Sequence, residues 1–354
     1  MASHAVFAIP GDLASRTGGY AYDREVLARA GRFGIELEHL ALPQGFPAPD
    51  ARDLATTREL LARVPQGSVL LVDGLAFGAF PRDLVAAIAR PIVALVHHPL
   101  ALESGLDDTR RAALLHSERE ALARTVHVLA PSAATKAALV ADYDVAPERI
   151  TIAMPGTDPA PRARGGGGGA SSLLAVGSVA PRKGYDVLME ALAGLLHLDW
   201  TLTVAGSLTR ARPCAEALAR SIEDKGLASR VRLAGEVEPR ALEDLYAAAD
   251  IFVMSSHFEG YGMVLGEAMA RGLPVVTTRA GAAGDTIPDA AALKVAPGDA
   301  PALRAALAQL LGEPELRARL ADASFTAGRA LPTWDDTAAR VADVLRAVHQ
   351  ESTS

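Results

Sequence analysis

The stretch HFEGYGMVLGEAMARGLPVV, residues 257–276, determines how the rest of the sequence is interpreted. It contains two glutamates, Glu259 and Glu267, and the seven residues between them include three glycines. Two nearby carboxylates can work as a general acid and a general base. Ionised carboxylates also accept hydrogen bonds well, so the pair can instead hold hydroxyl groups of one ligand. The elements around the two glutamates are needed to choose between these uses.

The pattern around this stretch predicts a strand, a glycine loop and then a helix beginning near Met263. Gly260 and Gly262 would let the backbone approach a ligand, and the free N–H groups of a helix start favour phosphate. Glu267 would lie one turn into the helix and Glu259 on the loop, which separates the carboxylates along a ligand instead of pairing them. Taken alone, Glu267 also fits a helix residue stabilised by the helix dipole.

Short apolar runs alternate with amphipathic stretches along the whole chain. In the first half the runs lie at residues 5–10, 68–74, 91–98 and 126–132, and in the second half at 173–178, 199–207, 230–237, 249–256 and 273–279. Continuous apolar, β-branched runs of this length are typical of parallel strands that are buried on both faces. Their alternation with helical patterns predicts an α/β protein with doubly wound parallel sheets.

A run of five glycines at residues 165–169, with Pro- and Ser-rich flanks, separates the two sets of strands. Glycine loses the most backbone freedom in a regular element, so this composition predicts a linker at 161–172. The alternative is a surface loop inside one domain. The resulting prediction is one Rossmann-like domain at 1–160 and another at 173–333. Ligands bind beyond the carboxyl ends of such strands, so two facing sheets would form an interdomain cleft.

Composition excludes several classes of protein. A length of 354 residues favours two domains, and a net charge of −7 argues against a general binder of nucleic acid or of membrane surfaces. Cys214 is the only cysteine, which excludes an intrachain disulfide and a cysteine-based metal cluster and fits a reducing, cytoplasmic location. The apolar run at the N-terminus is too short for a signal peptide, and no stretch suggests a membrane-spanning helix.

Three further motifs follow predicted strands. In VGSVAPRKG, residues 176–184, a strand ends at Gly177 and the next loop carries Arg182 and Lys183. Adjacent guanidinium and ammonium groups suit an anion, although a solvated basic turn would have the same sequence. TGGY, residues 17–20, is a glycine turn that opens a helix, and the run at 91–98 ends in two histidines.

The sequence DYD at residues 142–144 is an Asp-x-Asp pair of the kind that can hold a metal on a nucleotide-sugar. It follows a helical pattern and precedes VAPERITI, so it is interpreted as a helix end and a turn. No metal site is therefore predicted.

Together these motifs resemble the retaining glycosyltransferases of sequence family four, the group 1 glycosyltransferases, which have the GT-B fold of two facing Rossmann-like domains. The resemblance covers nearly the whole chain. It rests on TGGY, on PIVALVH at 91–97, on APSAATKAAL at 130–139, on VGSVAPRKG and on EGYGMVLGEAMARGLPVV with its Glu-x7-Glu spacing. ERITIAMPGTD at 148–158 is similar to the closing strand of the first domain, with Pro155 in place of the usual Asn. Tyr261 replaces the Phe that is common in the signature.

The resemblance implies a nucleotide-diphosphate-sugar donor. Glu267 would hold the ribose hydroxyls, Glu259 would hold hydroxyls of the transferred sugar, and the Arg-Lys pair would neutralise the diphosphate. His97 matches the histidine that contacts the donor in this family. The predicted catalytic residues are His97, Arg182, Lys183 and Glu259. The predicted donor-binding residues are Gly18, Gly19, Gly177, Gly260, Tyr261, Gly262, Met263, Val264 and Glu267. The final segment, 334–354, would be a helix that returns to the first domain.

The implied reaction is transfer of a hexose to a hydroxyl of a sugar or glycoside acceptor with retention of anomeric configuration. The departing phosphate oxygen would accept the acceptor's proton, so no protein base, metal or cofactor beyond the co-substrate is expected. Two alternatives stay open, a sugar-nucleotide epimerase of the same architecture and a non-catalytic sugar-nucleotide-binding protein. The donor sugar and base, the acceptor, the linkage and the oligomeric state are not determined by the sequence.

Overall fold

The structure is a computed structural model that describes residues 3–103 and 105–353. Its contacts divide the chain into two compact units. The first unit comprises Met1–Gly156 together with Pro332–Ser354, and the second comprises Thr157–Leu331. The chain therefore passes between the units at Gly156–Thr157 and again at Leu331–Pro332.

The first unit is built on a six-stranded parallel sheet with the order β2-β1-β3-β4-β5-β6. Its strands are β1 (Ser3–Pro10), β2 (Ile35–Leu42), β3 (Val69–Asp73), β4 (Ile92–Leu95), β5 (His127–Ala130) and β6 (Ile150–Ile152). The central strands β3 and β4 are buried along their whole length because helices cover both faces of a parallel sheet.

The second unit is also built on a six-stranded parallel sheet, with the strand order β12-β11-β10-β7-β8-β9. Its strands are β7 (Ser171–Val176), β8 (Trp200–Ala205), β9 (Val231–Gly235), β10 (Ile251–Met254), β11 (Val275–Thr278) and β12 (Ala292–Val295). In both sheets the first strand of the unit lies inside the sheet and the strand order reverses beside it. The prediction of an α/β fold with two doubly wound parallel sheets is confirmed.

Helices connect the strands. In the first unit they are α1 (Gly18–Arg29), α2 (Ala51–Ala62), α3 (Gly74–Phe77), α4 (Arg82–Ala86), α5 (Asp108–Leu122) and α6 (Ala133–Tyr143). The second unit contains α7 (Tyr185–Ala193), α8 (Arg212–Asp224), α9 (Pro239–Ala248), α10 (Met263–Ala270), α11 (Ala283–Thr286), α12 (Ala300–Gly312) and α13 (Pro314–Gly328). The last helix is α14 (Trp334–Thr353). None of the described helices is both long and apolar enough to cross a membrane.

The glycine run lies inside the second unit, which differs from the predicted linker at 161–172 and the predicted boundary at 160. The backbone N–H groups of Arg164 and Gly165 donate to the carbonyl of Ala247 at 2.8 and 3.2 Å, and that of Gly166 donates to the carboxylate of Asp250 at 3.2 Å. Glycine's entropic cost disfavours a regular element, but it does not prevent an irregular segment from being held by hydrogen bonds, here to the end of α9 and to the residue before β10.

The final helix α14 belongs to the first unit. Trp334 is buried at its start and its ring meets the edge of the Tyr22 ring, with centroids 5.8 Å apart. Asp335 lies 3.2 Å from Arg29 and 3.0 Å from Arg32, and Arg346 donates to the carbonyl of Phe33 at 2.6 Å. An amphipathic helix from the far end of the sequence thus completes the core beside β1.

Candidate functional site

The carboxylate of Glu259 is the centre of a buried charged cluster in the second unit. Its Oε1 lies 2.6 Å from Lys183 Nζ and accepts a hydrogen bond from Ser256 Oγ at 2.6 Å. Its Oε2 lies 3.1 Å from Arg182 NH1. Both oxygens are therefore held, and two positive charges converge on one negative charge.

Two loops that follow β7 and β10 bring these residues together. Arg182 and Lys183 lie in a single 3-10 turn that ends at Gly184, whose φ of 61° lies in the left-handed region that favours glycine. The N–H of His257 donates to the carbonyl of Arg182 at 2.7 Å, and Ser255 Oγ donates to that of Lys183 at 3.0 Å. These bonds fix the register between the loops, so the Arg-Lys pair is presented by a rigid backbone.

Opposing effects act on the pKa of Glu259. Burial alone would raise it, but the charges of Lys183 and Arg182 and the hydrogen bonds from Lys183 and Ser256 lower the pKa to about 2. A carboxylate with such a pKa is ionised throughout the neutral range and is a weak base. This environment favours a ligand-holding role for Glu259 over general base catalysis.

The start of α10 provides backbone donors next to this cluster. Gly262 is the N-cap of the helix, with φ 89° and ψ 56°, a conformation that glycine adopts without strain. Met263 and Val264 lie in the first turn, where a helix leaves its N–H groups without intrahelical partners. The carbonyl of the buried Tyr261 accepts a hydrogen bond from Thr286 Oγ1 at 2.6 Å, which anchors the loop before the helix. Gly260 is buried in the same loop.

Gly177 closes the other side of the Arg-Lys turn. Its φ is 148°, and a side chain here would bring a Cβ within 3.0 Å of Lys183 Cε. The hydroxyl of Tyr185 donates to the Gly177 carbonyl at 2.9 Å. Glycine at this position leaves room for the lysine side chain.

Glu267 lies half-buried on α10 and has different partners from Glu259. The hydroxyl of Tyr246 donates to Glu267 Oε2 at 2.7 Å, and the guanidinium of Arg271 stacks over the Tyr246 ring at 4.6 Å from its centroid. Burial raises the pKa of Glu267, although the Tyr246 hydrogen bond and the Arg271 charge act in the opposite direction. One glutamate is therefore held by cations and the other by a phenol.

In the first unit, Gly18 and Gly19 form the first turn of α1, behind the N-cap Thr17. His97 follows β4, and a Cβ at Gly19 would lie 3.4 Å from its Cδ2, so glycine permits close approach of the helix to the imidazole ring. His98, the alternative histidine, has its Nε2 3.7 Å from Glu103 Oε2. The structure thus brings Gly19 and His97 together, and Glu259 together with the Arg-Lys pair.

Two buried carboxylates beside His97 were not apparent from the sequence. His97 Nε2 lies 2.8 Å from Asp23 Oδ1 on α1 and 3.6 Å from Asp73 Oδ2 at the end of β3. Among the described residues, these three side chains form the one group of metal-ligating types whose ligand atoms all lie within 4.8 Å of one another. The 2.8 Å separation is typical of a hydrogen bond. DYD at 142–144 forms the end of α6 and its left-handed C-cap at Asp144, as its pattern indicates.

Two family models match successive parts of the chain. The model described as "Glycosyltransferase Family 4" matches residues 16–161, and the model described as "Glycosyl transferases group 1" matches residues 165–326. A curated relative, an MMP alpha-(1->4)-mannosyltransferase from Mycolicibacterium hassiacum, is 26% identical over 88% of this chain and 78% of its own length. A D-inositol 3-phosphate glycosyltransferase from Frankia alni is 34% identical over 58% of this chain. That match spans only 55% of the Frankia protein.

Solved structures of glycosyltransferases share the fold. Sucrose-phosphate synthase from Thermosynechococcus elongatus matches with a TM-score of 0.83 at 19% identity, over 99% of this chain and 100% of that one. Anabaena HepE in complex with UDP-glucose matches with a TM-score of 0.76 at 18% identity, over 97% of this chain and 100% of that one. At these identities the likeness establishes the GT-B architecture of the two units and no more.

Proposed function

Because the chain belongs to the group 1 glycosyltransferases, we propose that it transfers a hexose from a nucleotide-diphosphate-sugar to a hydroxyl of a sugar or glycoside acceptor, with retention of configuration. The observation that supports this most directly is the buried cluster of Glu259, Lys183 and Arg182 next to the start of α10. Glu259 and the two cations match the sugar and the diphosphate of such a donor, and Glu267, on the helix that begins beside the cluster, matches its ribose.

The diphosphate is assigned to Lys183, Arg182 and the first-turn N–H groups of α10. Lys183 has three N–H donors, and one of them reaches Glu259, which leaves two for phosphate oxygens. Departure of the nucleoside diphosphate builds negative charge, and cations that are already fixed in place stabilise that charge without reorganisation. This arrangement supplies leaving-group stabilisation without a metal ion.

The two glutamates are assigned to opposite ends of the donor. Glu259, ionised and held between cations, would accept hydrogen bonds from hydroxyls of the transferred sugar. Glu267, fixed by Tyr246, would accept hydrogen bonds from the ribose diol. His97 is assigned to the transferred sugar by the family resemblance. The low pKa of Glu259 disfavours the epimerase alternative, in which the carboxylates would exchange protons with the substrate.

The test is a thermal-shift panel of UDP-, GDP-, ADP- and dTDP-hexoses, because a true donor stabilises the protein by mass action. The best donor is then incubated with candidate glycoside acceptors, and the anomeric configuration of the product is determined by NMR, with and without EDTA. We expect a product with the donor's anomeric configuration and no loss of activity in EDTA. An inverted product, a strict divalent-metal requirement, or a donor converted to its epimer without any acceptor would contradict the proposal.

A further inference from the structure

Three elements of the first unit bring together two carboxyl groups and the imidazole of His97, and the reaction outlined above gives a role only to His97. Asp73 ends β3 and caps α3, with its Oδ1 2.6 Å from the N–H of Leu75. Asp73 pairs in register with Leu95 of β4, and His97 follows two residues later. Asp23 comes from α1, which follows the neighbouring strand β1. The order of the strands therefore brings these three side chains together at the carboxyl ends of β1, β3 and β4.

The two carboxyl groups lack a cation that would balance two negative charges. Asp23 is 0% and Asp73 4% exposed. Within residues 3–103 and 105–353, neither forms an ion pair with Arg or Lys, and His97 is the only basic side chain within 4.0 Å of them. The guanidinium of the neighbouring Arg24 is instead directed to the carbonyls of Leu13 and Ser15. Removing two unpaired charges from water is costly, so the pair is expected to retain a proton.

The hydrogen-bond pattern also calls for one shared proton. Asp23 Oδ2 is buried and receives no hydrogen bond from any described donor, and an oxygen of each carboxyl group lies within 4.8 Å of the other. A proton on one of the carboxyls would let it donate a hydrogen bond to its neighbour. Burial raises the pKa of Asp23 to about 8, and burial with the charge of Asp23 raises that of Asp73 to about 7.

The imidazole of His97 is fixed on three sides. Its Nε2 meets Asp23, the ring lies edge-on to Tyr22 with centroids 4.9 Å apart, and Gly19 packs against Cδ2. The Tyr22 hydroxyl is already used, since it donates to the carbonyl of Ala153 at 3.0 Å. Burial lowers the pKa of His97, so the ring is neutral at pH 7. Its Nδ1 has no hydrogen-bond partner among the described residues, and the side chain is 20% exposed.

We propose that Asp23 and Asp73 are positioning residues that share one proton and hold His97 as its Nε2–H tautomer, so that Nδ1 accepts a hydrogen bond from a ligand hydroxyl. A neutral imidazole that donates from one nitrogen is an acceptor at the other. The ligand hydroxyl rests on the proposed function, in which it belongs to the transferred hexose. The tautomer and the shared proton do not rest on it. The 2.8 Å contact between His97 Nε2 and Asp23 Oδ1 is then a direct hydrogen bond, and the two atoms are not ligands of a shared metal ion.

The tautomer is tested by NMR on the wild-type protein with ¹⁵N-labelled histidine rings, with the His97 signals assigned from His97→Gln. We expect a neutral Nε2–H ring at pH 7 in the free protein. Asp23→Asn, which places an amide where the carboxyl accepts the Nε2–H bond, should shift the ring towards a mixture of tautomers. Asp73→Asn should preserve the Nε2–H form because its amide can still form a hydrogen bond with Asp23. A protonated ring or an Nδ1–H tautomer in the wild type would overturn the proposal.

The shared proton is tested separately, by measuring how the free energy of unfolding depends on pH. A carboxyl whose pKa is raised on folding loses stabilisation as pH rises from its unfolded value, about 4, towards its folded value. Wild-type stability should therefore fall between pH 5 and pH 8, and Asp73→Asn should reduce that slope. An identical slope in the variant contradicts proton sharing. A large stabilisation by Mn²⁺ or Zn²⁺ that Asp23→Asn abolishes would reveal a cation site instead.

The ligand hydroxyl is tested by titrating the labelled protein with UDP-glucose and with UDP, or with the sugar-nucleotide pair that gives the larger thermal shift. The chemical shift of His97 Nδ1 should change when the sugar-nucleotide is added and stay unchanged when the free diphosphate is added. Asp23→Asn should weaken binding of the sugar-nucleotide about five-fold, roughly the value of one net hydrogen bond, and leave diphosphate binding unchanged. Binding of a sugar-nucleotide without a change in the Nδ1 chemical shift would show that Nδ1 does not accept a hydrogen bond from the ligand. If none binds, the proposed function fails while the tautomer result stands.

Discussion

Lys183 and Glu259 form a buried ion pair, with Nζ 2.6 Å from Oε1 and side chains only 14% and 7% exposed. The glutamate therefore fixes the lysine in place. In the proposed function, the diphosphate of the donor would meet a cation held in position, and the sugar would meet a carboxylate held between two cations. The electrostatic preorganisation of the site resides in this pair.

Removing the lysine should damage chemistry more than folding. Lys183→Ala takes a charge away from the departing diphosphate, and we expect turnover to fall roughly 10² to 10³-fold, as for the loss of one key charge-stabilising donor. The matched control is Lys225→Ala, because Lys225 pairs with Glu190 on the exposed surface of the same unit. Steady-state kinetics should show the control unchanged, whereas activity of Lys183→Ala within a few-fold of wild type would contradict the assignment.

The ion pair between Lys183 and Glu259 should make the free energy of unfolding decrease as the pH becomes acidic. The folded pKa of Glu259, about 2, lies below its unfolded value, so its stabilisation is complete above the unfolded pKa and is lost as pH falls towards the folded one. The stability difference between wild type and Glu259→Gln should shrink by roughly 1 kcal/mol between pH 6 and pH 3.5. Denaturant unfolding at both pH values measures it. Glu190→Gln is the comparison, because the pKa of Glu190 is also lowered by its hydrogen bond to Lys225 but the pair is exposed, so the change should be smaller. A constant difference for Glu259→Gln would refute the shifted pKa.

The start of α10 depends on a glycine backbone. Gly262→Ala places a side chain at φ 89°, with its Cβ 3.3 Å from Leu265 Cδ1, and should lower the free energy of unfolding by about 1–2 kcal/mol. It should also weaken donor binding, because the first-turn N–H groups shift. Gly312→Ala is the control, since its Cβ meets nothing within 4 Å and its φ is ordinary. Equal stability of the two variants in urea titrations would argue against the left-handed cap.

The final helix should stabilise the first unit in particular. Leu345, 1% exposed on α14, packs into that unit, and Leu345→Ala should cost about 2–5 kcal/mol. Hydrogen exchange should then accelerate in residues 3–156 more than in 157–331. Arg340→Ala, at an exposed position of the same helix, serves as the control. Faster exchange confined to the second unit would contradict the grouping of α14 with the first.

Much of the fold follows from the sequence because buried parallel strands are continuous apolar runs. The strands that this pattern did not predict are outermost strands of the two sheets. β2 reads IELEHLAL, with Glu36 and Glu38 between apolar residues, and β12 carries Lys294. An edge strand is covered less fully than a central one, so its pattern is broken by polar residues. The short β6 was recognised only through the family resemblance.

The parts of the candidate site that consist of residues close together in the sequence were predicted. The parts that come from separate elements and meet only in the folded structure were not. The Arg-Lys turn and the Glu-x7-Glu spacing are local signals. Asp23 and Asp73 come from separate elements and meet only because β1, β3 and β4 are neighbours in the sheet. The same holds for Tyr246, which reaches Glu267 from α9. The glycine run was interpreted as a linker because composition indicates irregular backbone without indicating which unit contains it.

The measurement that tests the central claim most directly is calorimetry of Glu259→Gln and Glu267→Gln with the nucleoside diphosphate that stabilises the wild type most. The free diphosphate has a ribose and no sugar. Glu267→Gln should therefore weaken its binding about ten- to a hundred-fold, the range for a hydrogen bond to a charged group. Glu259→Gln should bind it at least as tightly as wild type, because Lys183 and Arg182 lose a competing anion, while turnover with the full donor falls. Equal loss of affinity in both variants would contradict the division of the donor between the two glutamates. Unchanged affinity in both, with only a shifted pH profile of turnover, would restore the acid and base alternative.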